Sequence, residues 1–217
     1  MTDKGSLSCS EWTAAVKLNT NYANLAGVRA ANGNSQNTHC RRCRSEKETP
    51  SHVLGDCSFG QLRRIARHHR VKHRLNALLT EKGFTCFDEV ECIDEDGSNR
   101  RIDILAIEPG DSDKAYIIDP TVRYETNDDL DTIVQIEKAR IYEPCIEDVK
   151  RRYPQYAQRD FEVIGLWFGS RGSIGKGVKN FFKKFKLEKK HIPNITETVL
   201  ADSINILHNH IYSNYTP

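Results

Sequence analysis

The sequence predicts an α/β fold, in which a small mixed sheet is flanked by helices and follows a short cysteine-rich segment. Two observations predict the sheet: four short runs have the composition of strands, and polar turns separate the first three of them. The third observation is that runs with apolar residues at helical spacing stand before, between and after these strands. Helices placed in this way can cover both faces of a sheet.

Two helices are expected before the sheet. The first is predicted over residues 11–30, with Ser10 as its N-cap. The second is a basic amphipathic helix from Leu62 to Leu79, which ends before Gly83. Its apolar face is predicted to consist of Ile65, Val71, Leu75 and Leu78 or Leu79.

The four strands are predicted at residues 84–93, 100–107, 114–124 and 161–168. Consecutive antiparallel pairing is expected for the first three, because short polar turns join them. A helix over 127–144, capped by Asn127 or Asp128 and ended near Pro144, is predicted before the fourth strand. A glycine-rich loop, a lysine-rich amphipathic helix and one more helix with a loose end are expected after it.

Charge is distributed unevenly along the chain. The 217 residues carry a net charge of only +2, yet basic residues are concentrated in 61–74 and 176–191, on either side of the acidic stretch 88–97. This distribution fits a polyanion-binding protein with a metal-binding centre, and it also fits solvated helix faces.

The cellular setting is predicted from what the sequence lacks. It has no apolar run long enough to cross a bilayer and no signal peptide at its N-terminus, so we expect no membrane partner. Seven cysteines are an odd number, which argues against a disulfide framework and for an intracellular, reducing compartment.

Three cysteines and a histidine have the spacing of a zinc site. Cys40-x2-Cys43 presents two sulfurs to one ion, and His52-x4-Cys57 supplies two more ligands after an eight-residue connection. Because four ligands fill the tetrahedral shell, we predict a structural Zn²⁺. The alternative is that His52 and Cys57 pack in a small core and that the other two cysteines are incidental.

Two aspartates interrupt apolar strands that are predicted to be neighbours. In the alternation of strand faces, Asp103 shares a face with Leu105, and Asp119 shares a face with Ile117. A buried carboxylate is costly unless a positive charge meets it, so two converging aspartates predict a Mg²⁺ site with oxygen ligands and retained waters. The alternative is that both carboxylates face solvent at strand ends, where Pro120 disturbs the ladder.

The helix predicted over 127–144 directs an amine toward these carboxylates. Val134, Lys138 and Tyr142 follow one another at four-residue spacing on one face. The adjoining core stripe is predicted to consist of Leu130, Ile133 and Ile141. A lysine beside metal-bound carboxylates can orient water and neutralise transition-state charge, and Tyr142 can hydrogen-bond the same phosphate or water. A surface lysine and a core tyrosine are the ordinary alternatives.

The order of these residues resembles a known family. Asp103, Asp119 and a later lysine resemble the PD-(D/E)xK core of restriction-enzyme-like nucleases. CRRC…H…C followed by ARHHRV, RRIDILAI, IIDPTVRYE, EKARIYEP and VIGLWFGSRG is similar to the C-terminal part of site-specific non-LTR retrotransposon proteins, from about Trp12 to about Leu187. In that family, a CCHC zinc knuckle precedes a restriction-enzyme-like endonuclease domain.

The resemblance implies a division of the chain into four parts. These are a helical lead-in at 1–35, a zinc knuckle at 36–60, a restriction-endonuclease-like core at 61–191, and a C-terminal helix and tail at 192–217.

The sequence departs from the family pattern at two positions. Ile102 occupies the slot where proline usually precedes the first aspartate, and Thr121 stands where the generic core has its lysine. In the retrotransposon branch the lysine is displaced to the following helix, which assigns that role to Lys138. The resemblance further implies that Glu125 helps to bind metal or fixes Arg123.

The resemblance also implies an activity and partners. The expected protein is a Mg²⁺- or Mn²⁺-dependent nuclear endonuclease that nicks double-stranded DNA. The freed 3′ hydroxyl would prime synthesis by an upstream reverse transcriptase domain of the same polypeptide, which would also bind element RNA. The chain would then be the C-terminal part of a longer protein. Predicted DNA contacts are Arg41, Arg42, Arg67, His69, Arg70, Lys176, Lys179, Lys183 and Lys184.

Other functions remain open from the sequence. A zinc-knuckle nucleic-acid-binding module with an inactive nuclease core would share these motifs, and Ile102 favours that alternative. A structure-specific junction resolvase would share the nuclease core. The run GSRGSIGKG is a strand-to-helix turn and not a nucleotide site, because its spacing misses G-x4-G-K-[ST].

Overall fold

A computed structural model describes residues 7–28, 37–126 and 129–213. These residues form a four-stranded mixed sheet flanked by helices, as the sequence predicts. The strands are β1 (Thr85–Ile93), β2 (Asn99–Ile107), β3 (Lys114–Arg123) and β4 (Asp160–Gly169). The α-helices are α1 (Cys9–Asn19), α2 (Pro50–Gly55), α3 (Gln61–Glu81), α4 (Leu130–Tyr142), α5 (Ile146–Arg152), α6 (Lys176–Lys184) and α7 (His191–Tyr212). Short 3₁₀ helices lie at Ser58–Gly60, Glu143–Cys145 and Pro154–Tyr156.

The strands are arranged in the order of the sequence, β1-β2-β3-β4. The first three pair in antiparallel fashion, which confirms the pairing expected from their short turns. β4 is parallel to β3, because the connection through α4 and α5 is long enough to return the chain to the starting edge.

Each face of the sheet carries its own apolar core. On one face, alternate residues of the strands pack against α3, α6 and the first turns of α7. On the other face, the intervening residues pack against α4, the following 3₁₀ turn and α5. Ile102 is fully buried in this second core beside Tyr142 and Cys145. Because Leu105 lies in the same core, the alternation predicted for β2, with Asp103 on the face of Leu105, is wrong at Asp103.

The first helix differs from its prediction at both ends. Its N-cap is Ser8 and not Ser10, because Ser8 has a glutamate three residues later and forms a capping box with Glu11. The helix ends at Asn19, followed by Asn21 in the left-handed backbone region at φ 57°. The predicted caps Asn127 and Asp128 of the later helix lie outside the described residues.

The apolar spacing predicts the positions of helices α3 and α4 correctly. For both helices, however, it predicts the wrong set of buried residues. Ile65 of α3 is 43% exposed, and the buried side of this helix instead includes the charged residues Arg67 and Lys72. In α4, Leu130 is buried as predicted and Ile141 is partly buried, but Ile133 is 41% exposed, and Val134 and Tyr142 are buried in its place. Apolar spacing alone did not determine which side of each helix meets the sheet.

The long α7 joins the cysteine-rich segment to the rest of the fold. It packs on α3 and also contacts α1 and α2. Its residues Ile206 and Leu207 share a small core with Leu18, Val53 and Leu54. Within the described ranges, no helix combines the length and apolarity that crossing a membrane requires.

Candidate active site and metal centre

Asp103 and Asp119 lie one step beyond the end of the β2–β3 ladder. The last paired residues are Ile104 and Ile118, so the same register places the two aspartates opposite each other where the strands separate. Pro120 has no N–H to donate, which is consistent with the end of the ladder at this point. The side chains of Asp103 and Asp119 are 14% and 6% exposed. The structure therefore brings the two predicted carboxylates together in a nearly buried position.

Helix α4 adds the predicted amine and hydroxyl. The Nζ of Lys138 lies 3.1 Å from Oδ2 of Asp119, and the Tyr142 hydroxyl donates to the same oxygen at 2.8 Å. The carbonyl oxygen of Arg101 lies 3.0 Å from that hydroxyl, which ties Tyr142 to β2 as well. Thr121 donates to the other oxygen of Asp119 at 3.2 Å. Lys138 is only 13% exposed, so its amine faces the carboxylate and not bulk water.

Gly165 on β4 allows this close approach of α4. It pairs with Asp119 in the parallel register, and a Cβ at Gly165 would lie 2.9 Å from the Val134 carbonyl oxygen and 3.0 Å from Cγ of Lys138. The sequence analysis did not identify this residue. A glycine inside the apolar run FEVIGLWF was the available signal, since such a glycine often marks a close backbone approach.

Helix α3 reaches the site from the other face of the sheet. Nε2 of His68 lies 3.2 Å from Oδ2 and 3.3 Å from Oδ1 of Asp103. The residues around the resulting open cleft of about 370 Å³ come from both faces: Gly55, Arg64, Arg67, His68, Asp103, Asp119, Thr121, Val122 and Lys138. One wall of the cleft is thus acidic, and the other carries the basic side chains of α3.

The electrostatics of the cleft follow from this burial. Desolvation raises the pKa of Asp119, the nearby charge of Asp103 raises it further, and the opposing effects of Lys138 and Tyr142 do not reverse the shift. Burial alone would lower the pKa of His68, but the hydrogen bond and charge of Asp103 raise it overall. Two mutually repelling carboxylates in a nearly buried cleft would be stabilised by added positive charge.

Glu125 does not join this cluster. Its carboxylate accepts from the backbone N–H and Nε of Arg171 and from the hydroxyl of Ser173, at 2.8–3.1 Å. It lines a separate cleft of about 900 Å³ between α4 and the start of α6. The expectation that Glu125 fixes Arg123 is wrong, because Arg123 pairs with Glu137 at 2.5 Å. Glu125 instead holds the loop after β4.

Three of the predicted DNA-contacting arginines are engaged inside the protein. Arg41 forms a two-pronged ion pair with buried Glu48 at 2.8 and 2.9 Å. Arg42 donates to carbonyl oxygens at the C-terminal end of α7, at 2.7 Å for His210, and its guanidinium lies over the Phe59 ring. Arg67 is 2% exposed and donates to Ser203 and to the Leu54 carbonyl. Each of these guanidinium groups therefore stabilises the fold through contacts within the protein, and a phosphate contact of these arginines stays a prediction.

The remaining predicted contacts are closer to solvent. Arg70 is 54% exposed but forms two hydrogen bonds with Asp202, and His69 is 43% exposed near Glu89. The lysines of α6 that were predicted to contact DNA, Lys176, Lys179, Lys183 and Lys184, are all exposed. Lys184 also pairs with Glu162 and lies over the Tyr116 ring. The buried side of α6 consists of Val178, Phe181 and Phe182, so the helix presents its charges outward.

The four predicted zinc ligands converge. The ligand atoms of Cys40, Cys43, His52 and Cys57 all lie within 4.8 Å of one another. The Sγ atoms of Cys40 and Cys57 are 3.7 Å apart, and ligands at about 2.3 Å from a tetrahedral zinc would be separated by about 3.8 Å. This cluster could therefore hold a metal ion such as zinc.

Two residues that the sequence analysis missed support this cluster from behind. Nε2 of His210, in the last turns of α7, lies 3.7 Å from Sγ of Cys40 and 2.9 Å from Oε1 of Glu48. Glu48 is fully buried and also accepts from the backbone N–H groups of Ala26 and Arg41. No short-range pattern in the sequence connects a histidine in α7 with a cysteine about 170 residues earlier.

A scan of protein-family models finds none that matches this chain, and a search of the curated proteins finds no significant match.

Proposed function

We propose that this chain is a divalent-metal-dependent DNA endonuclease with a restriction-endonuclease-like core, which nicks one strand of duplex DNA. The observation that carries the proposal is the position of the Lys138 amine, 3.1 Å from Asp119, in a cleft that Asp103 also lines. Two carboxylates and an amine at the end of a sheet ladder are the set that such nucleases need for phosphodiester hydrolysis.

The donor set in the cleft fits a hard cation. Mg²⁺ and Mn²⁺ prefer carboxylate oxygens and keep several waters, so Asp103 and Asp119 would suffice as the protein ligands. When bound, the ion would supply Lewis-acid stabilisation of charge on a phosphate.

The chain's own residues account for the rest of the chemistry. Lys138 would hold an attacking water and offset negative charge, and Tyr142 keeps the Asp119 carboxylate oriented by its 2.8 Å hydrogen bond. The Arg64 side of the cleft would face the phosphate group opposite the acidic wall.

DNA affinity is proposed to come mainly from the exposed lysines of α6. Lys176, Lys179 and Lys183 project from the helix face opposite its aromatic core. Contacts of this kind position the duplex without reading its bases and give binding that weakens strongly with salt.

The cysteine-rich segment is proposed to hold one structural Zn²⁺ through Cys40, Cys43, His52 and Cys57. Four ligands fill the shell and leave no position for substrate. Arg41 and Arg42 are used within the protein, so we assign the segment a structural role.

The sequence resemblance supports a wider biological role. We propose that nicking initiates target-primed reverse transcription in the nucleus, with element RNA and a reverse transcriptase domain contributed by a longer retrotransposon polypeptide.

The direct test is nicking of supercoiled plasmid in Mg²⁺ by the wild type, Asp119→Ala and Lys138→Ala. We expect both variants to lose at least 100-fold in rate while retaining DNA binding in Ca²⁺, because each removes a group from the reacting centre. His73→Ala is a suitable control, since this exposed histidine of α3 faces Asp88 at 3.5 Å and lies outside the cleft.

Equal nicking by all three proteins would refute the assignment of the site. Binding without any nicking by the wild type would favour the inactive binding module, and a strong preference for branched over linear DNA would favour a junction resolvase.

A further inference from the structure

The two carboxylates of the cleft are held very unequally. Asp119 interacts with three side chains, those of Thr121, Lys138 and Tyr142. The carboxylate of Asp103, by contrast, has a single side-chain hydrogen-bond partner among the described residues, which is His68. Whatever fixes the orientation of Asp103 must therefore act through this histidine or through the backbone.

The backbone around Asp103 is less constrained than elsewhere in the sheet. On the β3 side, the ladder has already ended at Ile104. On the β1 side, the register pairs Asp88 with Ile104 and Val90 with Ile102 but omits Glu89, which would face Asp103. Glu89 has a left-handed backbone with φ 55°. Asp103 thus lies at a break in both neighbouring ladders.

The position of His68 suits it to hold this carboxylate. Arg64, Arg67 and His68 share one side of α3 and line the cleft together. The His68 side chain is 28% exposed, and its Nε2 lies almost equally far from the two oxygens of Asp103. Because an ionised carboxylate only accepts hydrogen bonds, Nε2 must be the donor. His69 and His73 on the same helix are more exposed and face Glu89 and Asp88 instead.

We propose that His68 is the positioning residue for Asp103: its Nε2–H holds the carboxylate so that an oxygen remains directed into the cleft for a divalent cation. This inference rests on the proposed function, since it assigns Asp103 as a cation ligand. Residues that hold a ligand from behind typically contribute 10- to 100-fold to metal affinity or activity. His68 would act through Asp103 and would not touch the substrate.

The test compares His68→Ala, His68→Gln and the control His73→Ala by two measurements. Mn²⁺ binding is followed by electron paramagnetic resonance titration of the DNA-free protein, and nicking is measured as a function of Mg²⁺ concentration. We expect His68→Ala to raise the Mn²⁺ Kd and the half-saturating Mg²⁺ concentration by about 10- to 100-fold. Glutamine retains an N–H donor of similar reach, so His68→Gln should recover a large part of the loss, and His73→Ala should match the wild type.

Mn²⁺ affinity in His68→Ala equal to that of the wild type would overturn the inference. Equal losses in the alanine and glutamine variants would also overturn it, because they would indicate a packing role. The proposed function fails separately: a wild type that binds Mn²⁺ in a His68-dependent manner but never nicks DNA would refute the nuclease and leave the positioning role intact. If the wild type nicks DNA and His68→Ala matches it in Mn²⁺ affinity and in nicking, the positioning role is refuted and the nuclease assignment stands.

Discussion

Gly165→Ala is the substitution that most directly tests how Lys138, the proposed catalytic lysine, is positioned. Gly165 pairs with Asp119 across the β3–β4 ladder, and the backbone of α4 passes directly over it. A Cβ at this position would meet the Val134 carbonyl oxygen at 2.9 Å and the Cγ and Cβ of Lys138 at 3.0 and 3.1 Å. None of these atoms is the free end of a flexible side chain, so α4 itself must move.

The geometry gives the size of the effect. Ordinary van der Waals contact for a Cβ begins near 3.4 Å, so α4 must retreat by about 0.5 Å at its closest point. A 1 Å misplacement can cost about 100-fold in rate, so a shift of half that size predicts a loss of about 10-fold. Overpacking of this kind also destabilises a fold by about 1–3 kcal/mol.

The assay is plasmid nicking at saturating Mg²⁺, together with urea unfolding and DNA binding in Ca²⁺. A matched control is Ile195→Val, which removes one methylene from the core on the opposite face and costs about 0.5–1.5 kcal/mol. We expect the control to lose comparable stability without losing activity. If Gly165→Ala nicks DNA at the wild-type rate, the approach of α4 over Gly165 does not position Lys138, and the explanation is wrong.

Four further predictions concern the cleft and the cysteine-rich cluster. Glu48→Gln should lower the free energy of unfolding by about 1.5–3 kcal/mol in urea titrations, because a neutral amide replaces the fully buried carboxylate that accepts from the Arg41 guanidinium. Nicking should fall with acid through a pKa above that of an ordinary aspartate, since burial raises the pKa of Asp119 and its ionised form is required. Tyr142→Phe should move this limb of the pH–rate profile to higher pH, because it removes a hydrogen bond that favours the carboxylate. Elemental analysis should find one zinc per chain, and Cys40→Ser should abolish it and unfold residues 37–60, as measured by hydrogen exchange.

The convergence of the acidic pair and the amine could be predicted because it depends on local periodicity. Antiparallel pairing places Asp103 opposite Asp119, although the alternation of faces predicted for β2 is interrupted at Asp103. Four-residue spacing in α4 places Lys138 in line with Val134 and Tyr142. Gly165 could not be assigned in the same way, since its role depends on the parallel register of β4, which no local pattern specifies.

The functions of the basic residues could not be read from their positions in the sequence. The block 61–74 predicts a basic helix face, but the rotation of α3 relative to the sheet decides which residues are exposed. Arg67 is buried against α2 and α7, His68 enters the cleft, and His73 stays outside it. A charge pattern gives the number of cations in a helix and leaves open whether each one meets a phosphate or a carbonyl oxygen.

These internal arginines connect the cysteine-rich segment to the carboxylate cleft. Arg64 donates to the carbonyl of Cys57, a candidate zinc ligand, at 2.5 Å, and Arg67 donates to the carbonyl of Leu54 at 2.9 Å. Both arginines then line the cleft together with Gly55 of α2. The ligand-bearing segment is therefore a wall of the cleft and not a separate module attached to it. A metal that orders this segment would also fix the basic side chains that face Asp103 and Asp119, so metal loading at one site is expected to shape the other.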